Sequence, residues 1–332
     1  MGPKILGIGL SFLLCLLSRT SDGQVKPSLE KIRVIYSAIG SQVSVLIPYE
    51  AGIFRKHGLD VELLYVGGGG RAAQVVQSGE VPIGVFTGGA VVNSNLAGGD
   101  LVIVASTMNV IPFFLIARPD IRQIEELKGK RIGITRFGSA TDFALRYAEE
   151  KWPLKRGRDF AVIQMGGMPE MMAGLKGRGL DAAMLNAEFT ILARKEGFTE
   201  LADISALGLT FPTSAIGTTR SFIKRNENAV RKFLRGYVEG IHYAKTQRAF
   251  SIEVFRKFLR NNDRPFLEAV YDLYVLRHIP KVPYPSPEAV KTVLSQIAET
   301  DPRAASAQPG QFIDFRFMQE LEKEGFIQRI WQ

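Results

Sequence analysis

Residues Val61 to Phe86 read VELLYVGGGGRAAQVVQSGEVPIGVF, and the order of residue types in that stretch decides the fold. Val61 to Val66 is apolar and β-branched, as a strand requires, and Gly67 to Gly70 breaks it. Arg71 to Ser78 reads as a helix stopped by Gly79, and Val81 to Phe86 as the next strand. A strand, a short helix and a strand with glycine at both joints form a β–α–β unit, whose strands run parallel. Working outward, Lys31 to Tyr36 alternates as an earlier strand, followed by the small polar loop Ser37 to Ser44. Val43 to Ala51 reads as a helix stopped by Gly52, with Pro48 marking a kink. On the other side come Thr87-Gly88-Gly89, a short helix over Asn93 to Gly98 and a strand over Leu101 to Ala105. The expectation is a parallel α/β sheet.

The plan then recurs. Arg131 to Thr135 is a strand, Gly138 to Thr141 a small loop, and Asp142 to Lys151 a helix ended by Pro153. Phe160 to Gln164 and Asp181 to Leu185 are further strands around a helix over Met171 to Gly177. Ser78 to Val85 and Gly177 to Met184 echo each other: a helix end, a glycine stop and a strand. Chance similarity among glycine-rich turns is the competing reading; two similar lobes fit better. Val110 to Ile116 and Phe211 to Ile216 are extended, each contains proline, and they lie about a hundred residues apart. Read as crossings between lobes, they give a first lobe over 31–111, a second over 112–212, and a return to the first over 213–332. From Asn226 the pattern is helical, with Val230, Phe233, Leu234, Tyr237, Val238 and Ile241 on one face. Arg231, Lys232, Arg235, Lys245, Arg256, Lys257 and Arg260 read as its solvated surface.

A length of 332 residues suits two lobes or one large domain. With 46% hydrophobic and 23% charged residues the chain is neither disordered nor fibrous. The net charge of +9 is compatible with nucleic acid, an anionic surface or an anionic ligand and decides nothing alone. Met1 to Thr20 has Lys4 and then an apolar run from Ile5 to Leu17, too short to span a bilayer comfortably. Ser21 and Gly23 then set a cleavage site before Gln24, so residues 1–23 read as a signal peptide and the mature chain as soluble and extracytoplasmic. An uncleaved anchor is the other reading. Lipidation of Cys15 is disfavoured, because Leu14 stands where a small residue is needed. Export leaves no evident nucleic-acid partner for the basic residues.

Reactive parts are scarce. Cys15 is the single cysteine and His57, His242 and His278 are the three histidines, none with a second ligand at metal-binding spacing. No Gly-x-Ser-x-Gly motif occurs, and neither a metal nor a cofactor is expected. Met165, Met168, Met171, Met172 and Met184 read as core and cleft wall. Gly67, Gly69 and Ala72 imitate a dinucleotide fingerprint, but the next strand ends in Phe86-Thr87-Gly88 where a ribose-binding acid belongs. A ligand-facing turn, a purely structural turn and a nucleotide site all stay open there. What recurs is small hydroxyl or glycine residues at strand-to-helix junctions: Ser37 to Ser44, Gly67 to Gly70, Thr87 to Gly89 and Ser139 to Thr141. In an α/β sheet such junctions gather at the carboxyl ends of the strands, offering unpaired N–H groups. Arg71, Arg118 and Arg136 lie close enough in sequence to pair with an anion there.

Ile47 to Glu62, Ile124 to Ile134, Gly138 to Asp142, Leu180 to Met184 and Gly197 to Asp203 together resemble a known family. It is the substrate-binding proteins of nitrate/sulfonate/taurine-type ABC transporters, which include relatives binding pyrimidine precursors of thiamine. The resemblance covers residues 31–250. It implies a type II periplasmic-binding-protein fold: two doubly wound α/β lobes, two hinge strands and a ligand cleft between them. It also implies a monomer that meets a membrane permease with its ATPase, peripherally, and delivers a sulfonate, carboxylate, nitrate-like ion or pyrimidine. The positions matching its ligand loops are Ser37, Ser41 and Gln42; Gly68, Gly69 and Arg71; Thr87 and Gly88; Ser139, Ala140 and Thr141; and Asn186 and Glu188. Related pyrimidine synthases share the fold, which makes an enzyme the rival reading, but they use a cysteine-rich motif and histidine, and the expected mature chain has no cysteine. A ligand sensor without transport is the third.

Overall fold

The computed structural model describes Gly2, residues 28–137 and residues 139–332. The expected leader, its cleavage point and Cys15 lie outside the described residues. Ten strands follow in chain order: β1 (Glu30–Tyr36), β2 (Leu59–Tyr65), β3 (Ile83–Phe86), β4 (Leu101–Val110), β5 (Phe113–Ala117), β6 (Arg131–Ile134), β7 (Ala161–Gln164), β8 (Ala182–Asn186), β9 (Thr199–Asp203) and β10 (Thr210–Thr219). They make two five-stranded sheets, ordered β2-β1-β3-β10-β4 and β7-β6-β8-β5-β9. These orders are the same: β1 to β4 correspond to β6 to β9, and β10 and β5 occupy the same slot. The Ser78–Val85 and Gly177–Met184 echo therefore falls on equivalent places, where the helices Gly69–Gln77 and Met168–Lys176 lead into β3 and β8.

Neither sheet is wholly parallel, which corrects the reading from strand spacing. β10 runs antiparallel to β3 and β4, and β5 antiparallel to β8 and β9. The cause is geometric. β4 ends on the edge where β1 and β3 also end, and the chain crosses at Ile111-Pro112. It enters the second sheet from the facing edge, so β5 must run against strands that finish there. The return into β10 repeats this in reverse. Thr213 Oγ1 donates to the Val110 carbonyl at 2.6 Å, tying the two crossings together.

Three local expectations shift. The strand read over Leu101 to Ala105 continues to Val110, and the helix read from Asn93 starts at Gly88. Phe211 to Ile216, read as linker, belongs mostly inside the first sheet as β10. Pro212, which has no N–H for a ladder, sits where the β10–β4 register is irregular, between Thr210 and Ser214.

The long helix Arg220–Thr246 buries Val230, Phe233, Leu234, Tyr237, Val238 and Ile241, the face its periodicity marks, after a kink at Asn226. Its basic side is not merely solvated. Arg231 pairs with Glu227 and Glu320, Lys232 with Glu30 and Arg235 with Glu324. These ion pairs fasten the carboxy-terminal helices and β1 to it. The helix comes very close to Val43–Glu50: a Cβ at Gly240 would sit 2.5 Å from Pro48 Cβ and Cγ. Gly240→Ala should therefore cost about 1–3 kcal/mol by overpacking, read as a lowered urea midpoint with an unchanged slope.

Candidate functional site

A cleft of about 1580 Å³ opens between the sheets, walled by the loops at the carboxyl ends of β1, β2, β3, β6, β7 and β8. From the first lobe it receives Ser37, Ser41, Gln42, Gly68, Gly69, Arg71 and Thr87; from the second, Ser139, Ala140, Thr141, Asn186 and Glu188. Gly88 does not line it, contrary to the sequence reading. A Cβ there would sit 2.6 Å from Pro212 Cγ, so Gly88 serves the packing of a helix start against the return crossing. Arg118 is also elsewhere, paired with Asp181 at 3.0 Å and Asp120 at 3.2 Å. The glycine-rich turn borders the cleft, with Gly68 at φ +89° and nothing within 4 Å of a Cβ built on Gly68 or Gly70.

Several of these side chains hold the loops rather than face the opening. Gln42 is buried; its Oε1 accepts from Ser37 N at 2.7 Å and Ala38 N at 3.2 Å, while its Nε2 donates to Ser37 Oγ at 3.0 Å. Thr141 is buried too, its Oγ1 accepting from Thr135 N at 2.9 Å and bonded to the hydroxyls of Thr135 and Ser139. Asn186 caps the helix Ala187–Lys195 by accepting from Phe189 N at 3.2 Å. In the first lobe the helices Gly69–Gln77 and Gly88–Leu96 begin without any side-chain cap, so their first N–H groups are left for something else.

Glu188 takes a position the sequence did not disclose. Its Oε2 accepts from Tyr274 OH at 2.7 Å, and the carboxyl also accepts from the Gly40 amide of the opposite lobe. Tyr274 belongs to the π-helix Asp272–His278. Gly40 has room for nothing more, since a Cβ would lie 2.0 Å from Glu188 Oε1 and 2.4 Å from Tyr274 Cε2. Burial raises the Glu188 carboxyl above the usual carboxylate range, and these hydrogen bonds oppose that shift. Glu188, Tyr274 and Gly40 thus form a clasp between the lobes.

Among the described lining residues the charged side chains are Arg71, Arg136 and Glu188. Both guanidiniums are exposed, on opposite walls, and neither has an ion-pair or side-chain hydrogen-bond partner among the described residues. With the one carboxyl withdrawn into the clasp, the open space carries positive potential. Tyr65, Phe137 and Tyr274 also line the cleft and were missed. An aromatic ring at a strand end reads as core, and only the neighbourhood of Arg136 could have flagged Phe137.

The histidines stand apart from the cleft lining. His57 Nε2 meets Glu239 Oε2 at 2.8 Å, and His242 lies edge-on to Trp331 with ring centroids 4.9 Å apart. Burial, first, and Arg277 lower His278 to about 4. No group of three or more His, Cys, Asp or Glu suited to a metal occurs among the described residues.

A family model described as NMT1/THI5 like matches residues 43–248. The chain belongs to the NMT1/THI5-like family. The match starts just after the Ser37–Gln42 loop and takes in both sheets' crossing strands and the other cleft loops. A Brucella abortus protein named as a binding protein is 28% identical over 220 residues, covering 64% of this chain and 66% of the relative. That is slightly under two thirds of the relative's own length. Among solved structures, the alkanesulfonate-binding protein SsuA of Xanthomonas axonopodis pv. citri, bound to MOPS, superposes with a TM-score of 0.68 at 15% identity. It covers 87% of this chain and 99% of SsuA. The periplasmic nitrate-binding protein NrtA of Synechocystis gives 0.65 at 13% identity, covering 90% and 89%. At such identities the likeness establishes the two-lobed binding-protein fold of this NMT1/THI5-like chain. No helix among the described residues is long and apolar enough to cross a membrane.

Proposed function

We propose that this NMT1/THI5-like protein is an extracytoplasmic solute receptor that closes two lobes on a small organic anion and delivers it to a membrane permease with its ATPase. The observation that carries the reading is the pair of unpartnered guanidiniums, Arg71 and Arg136, on opposite walls of one cleft whose carboxyl is engaged elsewhere. Arginine's planar fork matches carboxylate and sulfonate oxygens, and the uncapped helix starts beside Gly68 and Thr87 add N–H donors. A ligand touching both walls stabilises the closed arrangement by its differential affinity. The names of the Brucella, Xanthomonas and Synechocystis relatives point the same way.

Titration calorimetry of the mature chain with sulfonates, carboxylates, nitrate and pyrimidines should give saturable one-site binding of an anion. Mass spectrometry of the released ligand should recover it unchanged. Binding confined to neutral pyrimidines would contradict the anion assignment, and a new product would contradict the receptor reading.

A further inference from the structure

Five large apolar side chains stand exposed among the described residues, and the two most exposed, Tyr65 at 60% and Phe137 at 58%, both line the cleft. They come from opposite lobes. Tyr65 ends β2, and its ring leans on Tyr36 with centroids 5.3 Å apart at 54°; Tyr36 in turn meets Phe258 edge-on at 6.3 Å. Phe137 sits in the loop after β6, where its backbone N–H donates to Gln164 Oε1 at 3.0 Å. Tyr65 is thus backed by a neighbouring ring and Phe137 carried on an anchored backbone, while much of each ring's surface stays open to water, an arrangement that loses free energy until something apolar covers it. Each wall consequently carries one open ring and one unpaired guanidinium: Tyr65 with Arg71, and Phe137 with Arg136.

We infer that the ligand is an aromatic acid, a carboxylate or sulfonate whose ring packs against Tyr65 and Phe137 while its oxygens meet the arginines. This deepens the receptor reading and rests on it. An inorganic oxyanion would leave both rings wet. An alkyl acid would cover them by area alone. An aromatic body adds offset or edge-to-face contacts with each ring, together worth about ten- to a hundredfold in affinity.

The test compares matched pairs by calorimetry: benzenesulfonate against hexanesulfonate, and benzoate against hexanoate. The wild-type chain should bind the aromatic member of at least one pair about tenfold or more tightly. In Tyr65→Ala and Phe137→Ala both members lose the apolar area of the ring, but the aromatic member should lose more, so that the preference falls towards parity while the melting temperature holds, because both rings are exposed. Equal affinity within both pairs, or a preference that survives both substitutions, overturns the aromatic assignment and leaves the anion receptor standing. Failure of every acid to bind, with nitrate also silent, overturns the anion-receptor reading and this inference with it.

Discussion

Replacing both cleft guanidiniums, Arg71→Ala together with Arg136→Ala, is expected to weaken capture of the bound anion by two to four orders of magnitude. A hydrogen bond to a charged group contributes about 1.5–3 kcal/mol, and every ~1.4 kcal/mol is a factor of ten. The fold should not register the change. Neither side chain has an ion-pair or side-chain hydrogen-bond partner among the described residues, and substitutions at such surface positions stay within about 0.5 kcal/mol. The contrast that makes the result specific is Arg136→Lys, which keeps the charge and loses the fork; it should retain part of the affinity. Calorimetry gives the affinities, and thermal melts of the ligand-free variants check that stability is unmoved. Wild-type affinity in the double variant would remove the electrostatic basis of the cleft.

The second large effect belongs to a residue with no functional group. Gly40→Val should weaken ligand binding by about 5–150-fold, the range of a 1–3 kcal/mol coupling between two sites. A Cβ at Gly40 collides with Glu188 Oε1 and Tyr274 Cε2, so the clasp must open or Glu188 must turn away. Turning away strands a buried carboxyl without the Tyr274 hydroxyl, at about 1–3 kcal/mol. Both routes disfavour the closed arrangement. Small-angle scattering should show a larger radius of gyration for the variant, and Tyr274→Phe, which deletes one hydrogen bond without a clash, should show a smaller effect in the same direction. An unchanged affinity in Gly40→Val would mean that the clasp has no part in closure.

Much of this architecture can be read from residue order, because the constraints involved are local. The glycines at Gly67 to Gly70 and Gly79 mark the joints of a β–α–β unit, and the same punctuation at Gly177 and Gly179 marks its counterpart in the second sheet. The two proline-bearing crossings are likewise visible as extended segments. Strand direction is not, since period-two alternation is identical in parallel and antiparallel ladders; the antiparallel β5 and β10 follow only from where the crossings enter. The cleft loops follow the same divide. Junctions such as Ser37 to Gln42 and Ser139 to Thr141 are identifiable from composition, yet which way each side chain turns is set in three dimensions. Gln42 and Thr141 turn inward to fix their own loops, and Gly88 packs against Pro212. Glu188 meets Tyr274, 86 residues away, a pairing with no trace in local sequence. Tyr65 and Phe137 show the converse: residues with the composition of a core that the fold leaves at a rim.

The most direct measurement of the two-walled cleft is a crystal structure of the protein with the acid that raises its melting temperature most. Capture between the lobes requires the anionic group within about 3 Å of donors from both, Arg71 or the Gly68–Gly69 turn on one side and Arg136 or Ser139 on the other. Density for the acid against one lobe alone, or outside the cleft altogether, would contradict it.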